Sequence, residues 1–306
     1  MKSTLLATAA AVGLLALPQA ALAAPPPDRG FVEGSVGFGW TNEDFNRPNP
    51  SEFDDPTNYG AKARWLLPLS QPIHLQGDVF FEQSDNIFNG KFAKQDSTLF
   101  GAAVHIIHPM EHGRVGVVGS LYDLDATGSF GKNGQASVNY GLAAFEGQYL
   151  LDHWTAFGQG GWFGDVSNCD GREGCVHNGV FLRGAATYFF TPNASLGFDG
   201  NLFWGDDEFR GAVSGGTAQL EGEYRFTDSC FSGFVDLKYE REDVDFANGT
   251  AGEDTTSLSF GIRMYVDSMT LQDFSQNGSS MNTPTFHHQL ATEGPLQAEA
   301  FINGLP

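Results

Sequence analysis

The feature that most constrains this chain is a period-two alternation that returns about twelve times, in segments of roughly ten residues. In Ser195–Trp204, apolar Leu196, Phe198, Leu202 and Trp204 alternate with polar Ser195, Asp199 and Asn201. The next segment sets Leu220, Tyr224 and Phe226 against Gln219, Glu221, Glu223 and Arg225. Successive side chains of a strand point to opposite faces, so each segment has one apolar and one polar face. Alternation alone fits a soluble half-buried sheet as well as a membrane barrel. The number and spacing of the segments decide between them.

Reading alternation with turn residues predicts strands near 31–41, 58–67, 73–83, 96–107, 114–122, 137–150, 154–164, 179–190, 194–204, 216–226, 231–240 and 255–266. Their connections alternate in length. Short ones such as Leu151-Asp152-His153 and Thr191-Pro192-Asn193 separate long ones over 42–57, 84–95, 123–136, 165–178, 205–215 and 241–254. Short turns at one end and long loops at the other are the pattern of a transmembrane antiparallel barrel with an even strand count. A hairpin repeat of this length also suggests propeller blades, but four strands per blade would yield three blades, too few to close. The fold expected is therefore an all-β, up-and-down, twelve-stranded transmembrane barrel over 31–266, with both of its ends in the periplasm.

The ends of the chain frame that barrel. Lys2, the apolar run Leu5–Leu17 and Ala21-Leu22-Ala23 have the parts of a cleaved secretory signal over residues 1–23, followed by a short periplasmic lead over 24–30. No later run of apolar residues is long enough for a membrane-spanning helix. Residues 267–306 lose the period-two pattern. They are expected to form a periplasmic tail, either loose or folded partly into the lumen mouth, with a helical turn around Leu296–Phe301. In an oxidising compartment, the tight bracket Cys169…Cys175 predicts a small loop disulfide and leaves Cys230 over.

The last predicted strand, Ser259-Phe260-Gly261-Ile262-Arg263-Met264-Tyr265-Val266, carries a more specific signal. It resembles the assembly signal that outer-membrane barrels place at their final strand, matching at Ser259, Gly261, Met264 and Val266. It departs in that such chains commonly end there on an aromatic residue, whereas this one continues to Pro306. As a whole the chain resembles the small porin-like outer-membrane proteins of Gram-negative bacteria. That resemblance implies an outer-membrane location. It also implies outer-membrane lipid, lipopolysaccharide, the outer-membrane assembly machinery, and small solutes or ions as partners.

With the apolar face turned to lipid, Val32, Val36, Phe38, Trp40, Leu75, Val79, Phe81, Leu182, Tyr188, Phe190, Leu258, Phe260, Ile262 and Met264 point outward. Tyr59, Trp65, Trp154, Trp162, Tyr188 and Trp204 stand near strand ends, where interfacial aromatic girdles belong. The opposite face is charged, which argues against a dry apolar interior. It is expected to line a pore with a basic wall of Lys62, Arg64, Arg183, Arg225, Lys238 and Arg263 facing an acidic wall of Glu82, Glu146, Asp199, Glu221, Glu223 and Asp236.

Acidic long loops, and 37 Asp plus Glu against 16 Lys plus Arg, favour cations and exclude a nucleic-acid partner. Asp54-Asp55, Asp206-Asp207-Glu208 and Asp243-Val244-Asp245 lack the spacing of a defined calcium loop, so neither a metal nor a cofactor is expected. The candidate histidines His105, His108, His112 and His153 have no Ser two residues away, so no hydrolase is expected either. Two functions remain open: a passive channel for small hydrophilic solutes or ions, weakly cation-preferring, and a non-conducting structural or surface-interaction barrel. The sequence leaves the oligomeric state open.

Overall fold

The computed structural model describes residues 29–43, 56–70, 73–89, 94–127, 135–166, 176–207, 211–246, 249–266, 270–278 and 280–286. The predicted signal and lead up to residue 28, the Cys169–Cys175 bracket and the predicted turn at Leu296–Phe301 lie outside them. Twelve strands form one closed, all-antiparallel barrel in chain order. They are β1 (Phe31–Glu43), β2 (Thr57–Ser70), β3 (Ile73–Asn89), β4 (Lys94–Met110), β5 (Gly113–Thr127) and β6 (Gln135–Leu150). The second half comprises β7 (Trp154–Asp165), β8 (Val176–Thr191), β9 (Ala194–Asp207), β10 (Ala212–Arg225), β11 (Phe231–Phe246) and β12 (Gly249–Tyr265). The first strand pairs with the last, from Phe31↔Tyr265 to Glu43↔Glu253, so no edge is left exposed.

All twelve predicted strands are present, but most run past their predicted ends, chiefly toward the long connections. β11 and β12 stay paired up to Phe246↔Gly249, so most of the expected loop over 241–254 is ladder. Here the outward face is polar (Arg241, Asp243, Asp245) while Glu242 and Val244 are buried, so Arg241-Glu242-Asp243 shows no apolar outer face while its backbone still pairs. At the opposite end the turns are tight. The turn after β10 places Asp228 at φ 55°, a left-handed conformation that a short polar side chain tolerates.

The exterior is apolar because its solvent is lipid. Val32, Val36, Phe38, Trp40, Leu182, Phe190, Phe260, Ile262 and Met264 are exposed on it, whereas Leu75, Val79, Phe81, Tyr188 and Leu258 are half-covered by neighbours. Of the predicted girdle, Tyr59, Trp154, Trp162 and Trp204 are exposed near strand ends. Trp65 instead lies over its register partner Gly77, where any side chain would collide with the indole. Phe145, 77 % exposed on β6, sits in this apolar band. Phe145→Arg is expected to destabilise the folded barrel by about 2–4 kcal/mol, measured as unfolding free energy in lipid vesicles. A neutral result would contradict lipid exposure of that face.

The interior departs from the expectation of a wholly polar lining. A buried cluster including Leu99, Tyr122, Leu124, Tyr140, Leu142, Phe163, Phe181 and Phe203 fills much of the half toward the long connections. On β5 and β6 both faces are apolar there (Val117 and Val118, Leu142 and Ala143), so alternation cannot tell lumen from lipid.

The described part of the chain beyond β12 folds back toward the barrel. Helix α1 (Leu271–Asn277) is capped by Thr270, whose hydroxyl accepts from the Asp273 N–H. It lies at the short-turn end, where the Gln272 N–H donates to Pro192 O, and Leu271 and Phe274 pack with Phe31, Phe189 and Tyr265. From there Gly278 and residues 280–286 enter the lumen. Apolar anchors draw them in: Met281 packs on Leu66 and Ile107, and Phe286 joins the large interior cluster.

Candidate functional site: a charged lumen with a resident segment

Strand parity turns every residue of the two predicted walls inward, but the walls themselves do not exist as such. The six basic residues lie on β2, β8, β10, β11 and β12, and the six acidic ones on β3, β6, β9, β10 and β11. Interleaving follows from proximity in the closed sheet: inward residues on the same, adjacent or next-but-one strand lie closer than those across the lumen, so opposite charges pair locally. Arg64 pairs with its register partner Asp78, with Nε–Oδ1 and Nη2–Oδ2 distances both 2.9 Å. Arg183 Nε donates to Asp199 Oδ1 at 2.9 Å, and Lys238 Nζ is 2.9 Å from Glu240.

Arg263 gathers three carboxylates. Its Nε donates to Glu33 Oε2 at 2.7 Å, Nη1 to Glu223 Oε2 at 2.5 Å and Nη2 to Glu221 Oε2 at 3.2 Å. The guanidinium lies between the rings of Phe31 and Phe234, 5.1 and 4.7 Å from their centroids. Arg225 is buried lower down, its Nε donating to Ser229 O at 3.1 Å. Gln219 Nε2 donates to Asp236 Oδ2.

Asn282 and Thr283 cross the barrel's waist. Lys62 Nζ donates to Asn282 Oδ1, as does Arg64 Nη2 at 2.6 Å. Thr283 donates its hydroxyl to Asp78 Oδ2 at 2.9 Å, so its oxygen is left to accept from His105 Nε2 at 2.9 Å. The other ring nitrogen of His105 is 2.7 Å from Glu146 Oε1, and Gln159 Nε2 donates to Glu146 Oε2 at 3.0 Å. His105, Asp78 and Glu146 are almost fully buried, and such a polar chain holds its members to one arrangement because each unmade bond is costly. Deeper in, Thr285 donates to Glu82 Oε1 at 2.8 Å.

Strand parity also turns Asp78 and His105 inward, although neither belongs to the predicted walls. A tail folded partly into the lumen mouth was one of the two expectations from sequence, but none of residues 281–286 was singled out for a role there, since docking from such a distance along the chain leaves no local periodicity. The segment lies against the walls around β2–β9 and leaves a cavity of about 410 Å³ beside it. Charged side chains from β1, β2, β3 and β8–β12 line that space, seven carboxylates against five cations. Of the predicted walls, Arg225 and Glu146 do not line it. Among the described residues no cluster of metal-ligating side chains occurs.

No protein-family model matches the chain, and no curated protein matches it. Solved structures do. The COG4313 outer membrane channel from Pseudomonas putida F1 superposes with a TM-score of 0.55 at 12% identity, covering 79% of this chain and 97% of that one. This chain has the architecture of a porin-like outer-membrane β-barrel. At such low identity the likeness shows the fold alone. The translocator domain of autotransporter NalP from Neisseria meningitidis gives 0.47 at 12% identity, over 86% of this chain and 97% of that one. The KdgM porin gives 0.37 at 13% identity, over 75% of this chain and 98% of its own.

Proposed function

We propose that this protein is an outer-membrane channel for passive diffusion of small hydrophilic solutes or ions, narrowed by its own C-terminal segment. The observation that carries this reading is the charged cavity beside the segment, in a barrel whose fold is that of a Pseudomonas outer membrane channel. The tight turns then face the periplasm and the long connections face outward, after export on the cleaved N-terminal signal. Outer-membrane lipid surrounds the exterior, lipopolysaccharide meets the outer rim, and the final strand addresses the assembly machinery.

Selection comes from width and field, without chemistry. The excess of carboxylates around the cavity favours cations weakly. Refolded full-length protein in a planar bilayer under a salt gradient is expected to show small unitary steps and a reversal potential on the cation side. Glu221→Gln with Asp236→Asn is expected to move that potential toward zero. A reversal potential on the anion side would contradict the proposed preference.

The second reading is a non-conducting structural or surface-interaction barrel. The apolar half of the interior and the filled waist favour it. Absence of unitary steps from protein shown to be folded by its heat-modifiable mobility would decide for it.

A further inference from the structure

The wall meets the resident segment at backbone carbonyls as well as at side chains. Arg114 Nη1 donates to Gly278 O at 2.5 Å, and its Nη2 donates to Gln276 O. Gln76 Nε2 donates to Met281 O at 2.5 Å, Arg183 Nη1 to Asn282 O at 3.0 Å and Tyr122 Oη to Pro284 O at 2.8 Å. Every peptide carries such oxygens, so this part of the recognition is indifferent to sequence. Among the described residues no backbone–backbone hydrogen bond ties 281–286 to a strand. The segment is held as a ligand is held, by side chains projecting from a closed wall.

Side chains are read as well: Ser280 by Arg114 and Gln148, Asn282 by Lys62 and Arg64, and Thr285 by Glu82, and two further subsites select more sharply. One is the hydroxyl pocket of Asp78 and His105 around Thr283. The other lies three residues on, where Phe286 stacks on Phe163 at 4.8 Å and meets Phe181 and Phe203 at 5.5 and 5.8 Å between centroids.

We propose that the lumen is a binding site for an extended peptide carrying a hydroxyl residue and, three residues later, an aromatic one, and that residues 280–286 are its resident, displaceable occupant. The short tether from β12 gives the resident an effective concentration on the order of millimolar, so a free peptide competes only where the resident is weakened. This inference does not depend on whether the barrel conducts.

The test uses full-length protein in detergent micelles and a fluorescent nonapeptide of the 278–286 sequence, with binding read as anisotropy. Phe286→Ala in the protein is expected to tighten apparent binding of the peptide about tenfold over wild type, because the resident loses its aromatic anchor. Thr283→Val is expected to act in the same direction and serves if the first variant fails to fold. Thr155 Oγ1 and Ser275 Oγ lie 2.8 Å apart, which suits a staple of Thr155→Cys with Ser275→Cys in a Cys230→Ser background. Added to Phe286→Ala, the oxidised staple should abolish the gained binding, and dithiothreitol should restore it. The proposal is overturned if both weakened variants bind the peptide no better than a scrambled one, since the segment is then a fixed part of the interior. It is equally overturned if stapling leaves the gained binding unchanged, since the peptide then sits elsewhere.

Discussion

Arg263→Met is expected to lower the unfolding free energy of the barrel by about 3–5 kcal/mol, the cost of breaking a buried ion cluster by removing one partner. Arg263 is the common partner of Glu33, Glu221 and Glu223, which come from two different strands, β1 and β10. Methionine preserves much of the packing between Phe31 and Phe234 while leaving three carboxylates close together without that cation. Glu221 and Glu223 lie on the same face of β10, so their repulsion is unavoidable once the guanidinium is gone. Arg263→Lys keeps the charge but loses the fork that serves three acids at once, and is expected to cost less. Adding Glu221→Gln to Arg263→Met should recover part of the loss. Urea unfolding in detergent micelles, followed by heat-modifiable mobility, gives the comparison. Unchanged stability in Arg263→Met would mean that these carboxylates are well solvated by lumen water.

Much of this was legible in the sequence. Alternation located all twelve strands because the lipid face imposes a one-sided apolar pattern wherever a strand crosses the membrane. The same parity put Lys62, Arg64, Arg183, Glu221 and Arg263 inside. Beyond the membrane the rule loses its force, which is why the ladder between Arg241↔Asp254 and Phe246↔Gly249 looked like a loop. Parity also says nothing about which inward groups are neighbours, so interleaved pairs were read as two opposed walls. Arg183 finds Asp199 on the adjacent strand through register, a property of the closed sheet rather than of either segment. Residues 281–286 had no readable signal, since Asn-Thr-Pro-Thr-Phe alone resembles any unpatterned tail. Its meaning depends on His105, Tyr122 and Phe163, which lie more than a hundred residues earlier in the chain.

Ending the chain at Val266 is expected to produce the largest functional change, a several-fold rise in single-channel conductance. Twelve strands enclose more space than the eight whose interior side chains just fill, so the lumen can carry water once it is vacated. In the intact protein, α1 lies at the short-turn end while Asn282 and Thr283 occupy the waist. Deletion frees the cross-section they occupy and leaves the barrel ladder from Phe31 to Tyr265 untouched. It also uncovers Arg64, Asp78, His105 and Glu146 to water, so the rise should come with noisier steps. Phe286→Ala should give an intermediate result, with brief openings to the larger level.

The most direct measurement of the central claim, that residues 270–286 restrict a charged passage through the barrel, is the unitary conductance of the full-length and Val266-terminated proteins side by side in the same planar bilayers. Both must first be shown to be folded by heat-modifiable mobility. Small steps from the full-length protein and several-fold larger ones from the shortened chain are the predicted result. Equal conductance from the two would contradict the account.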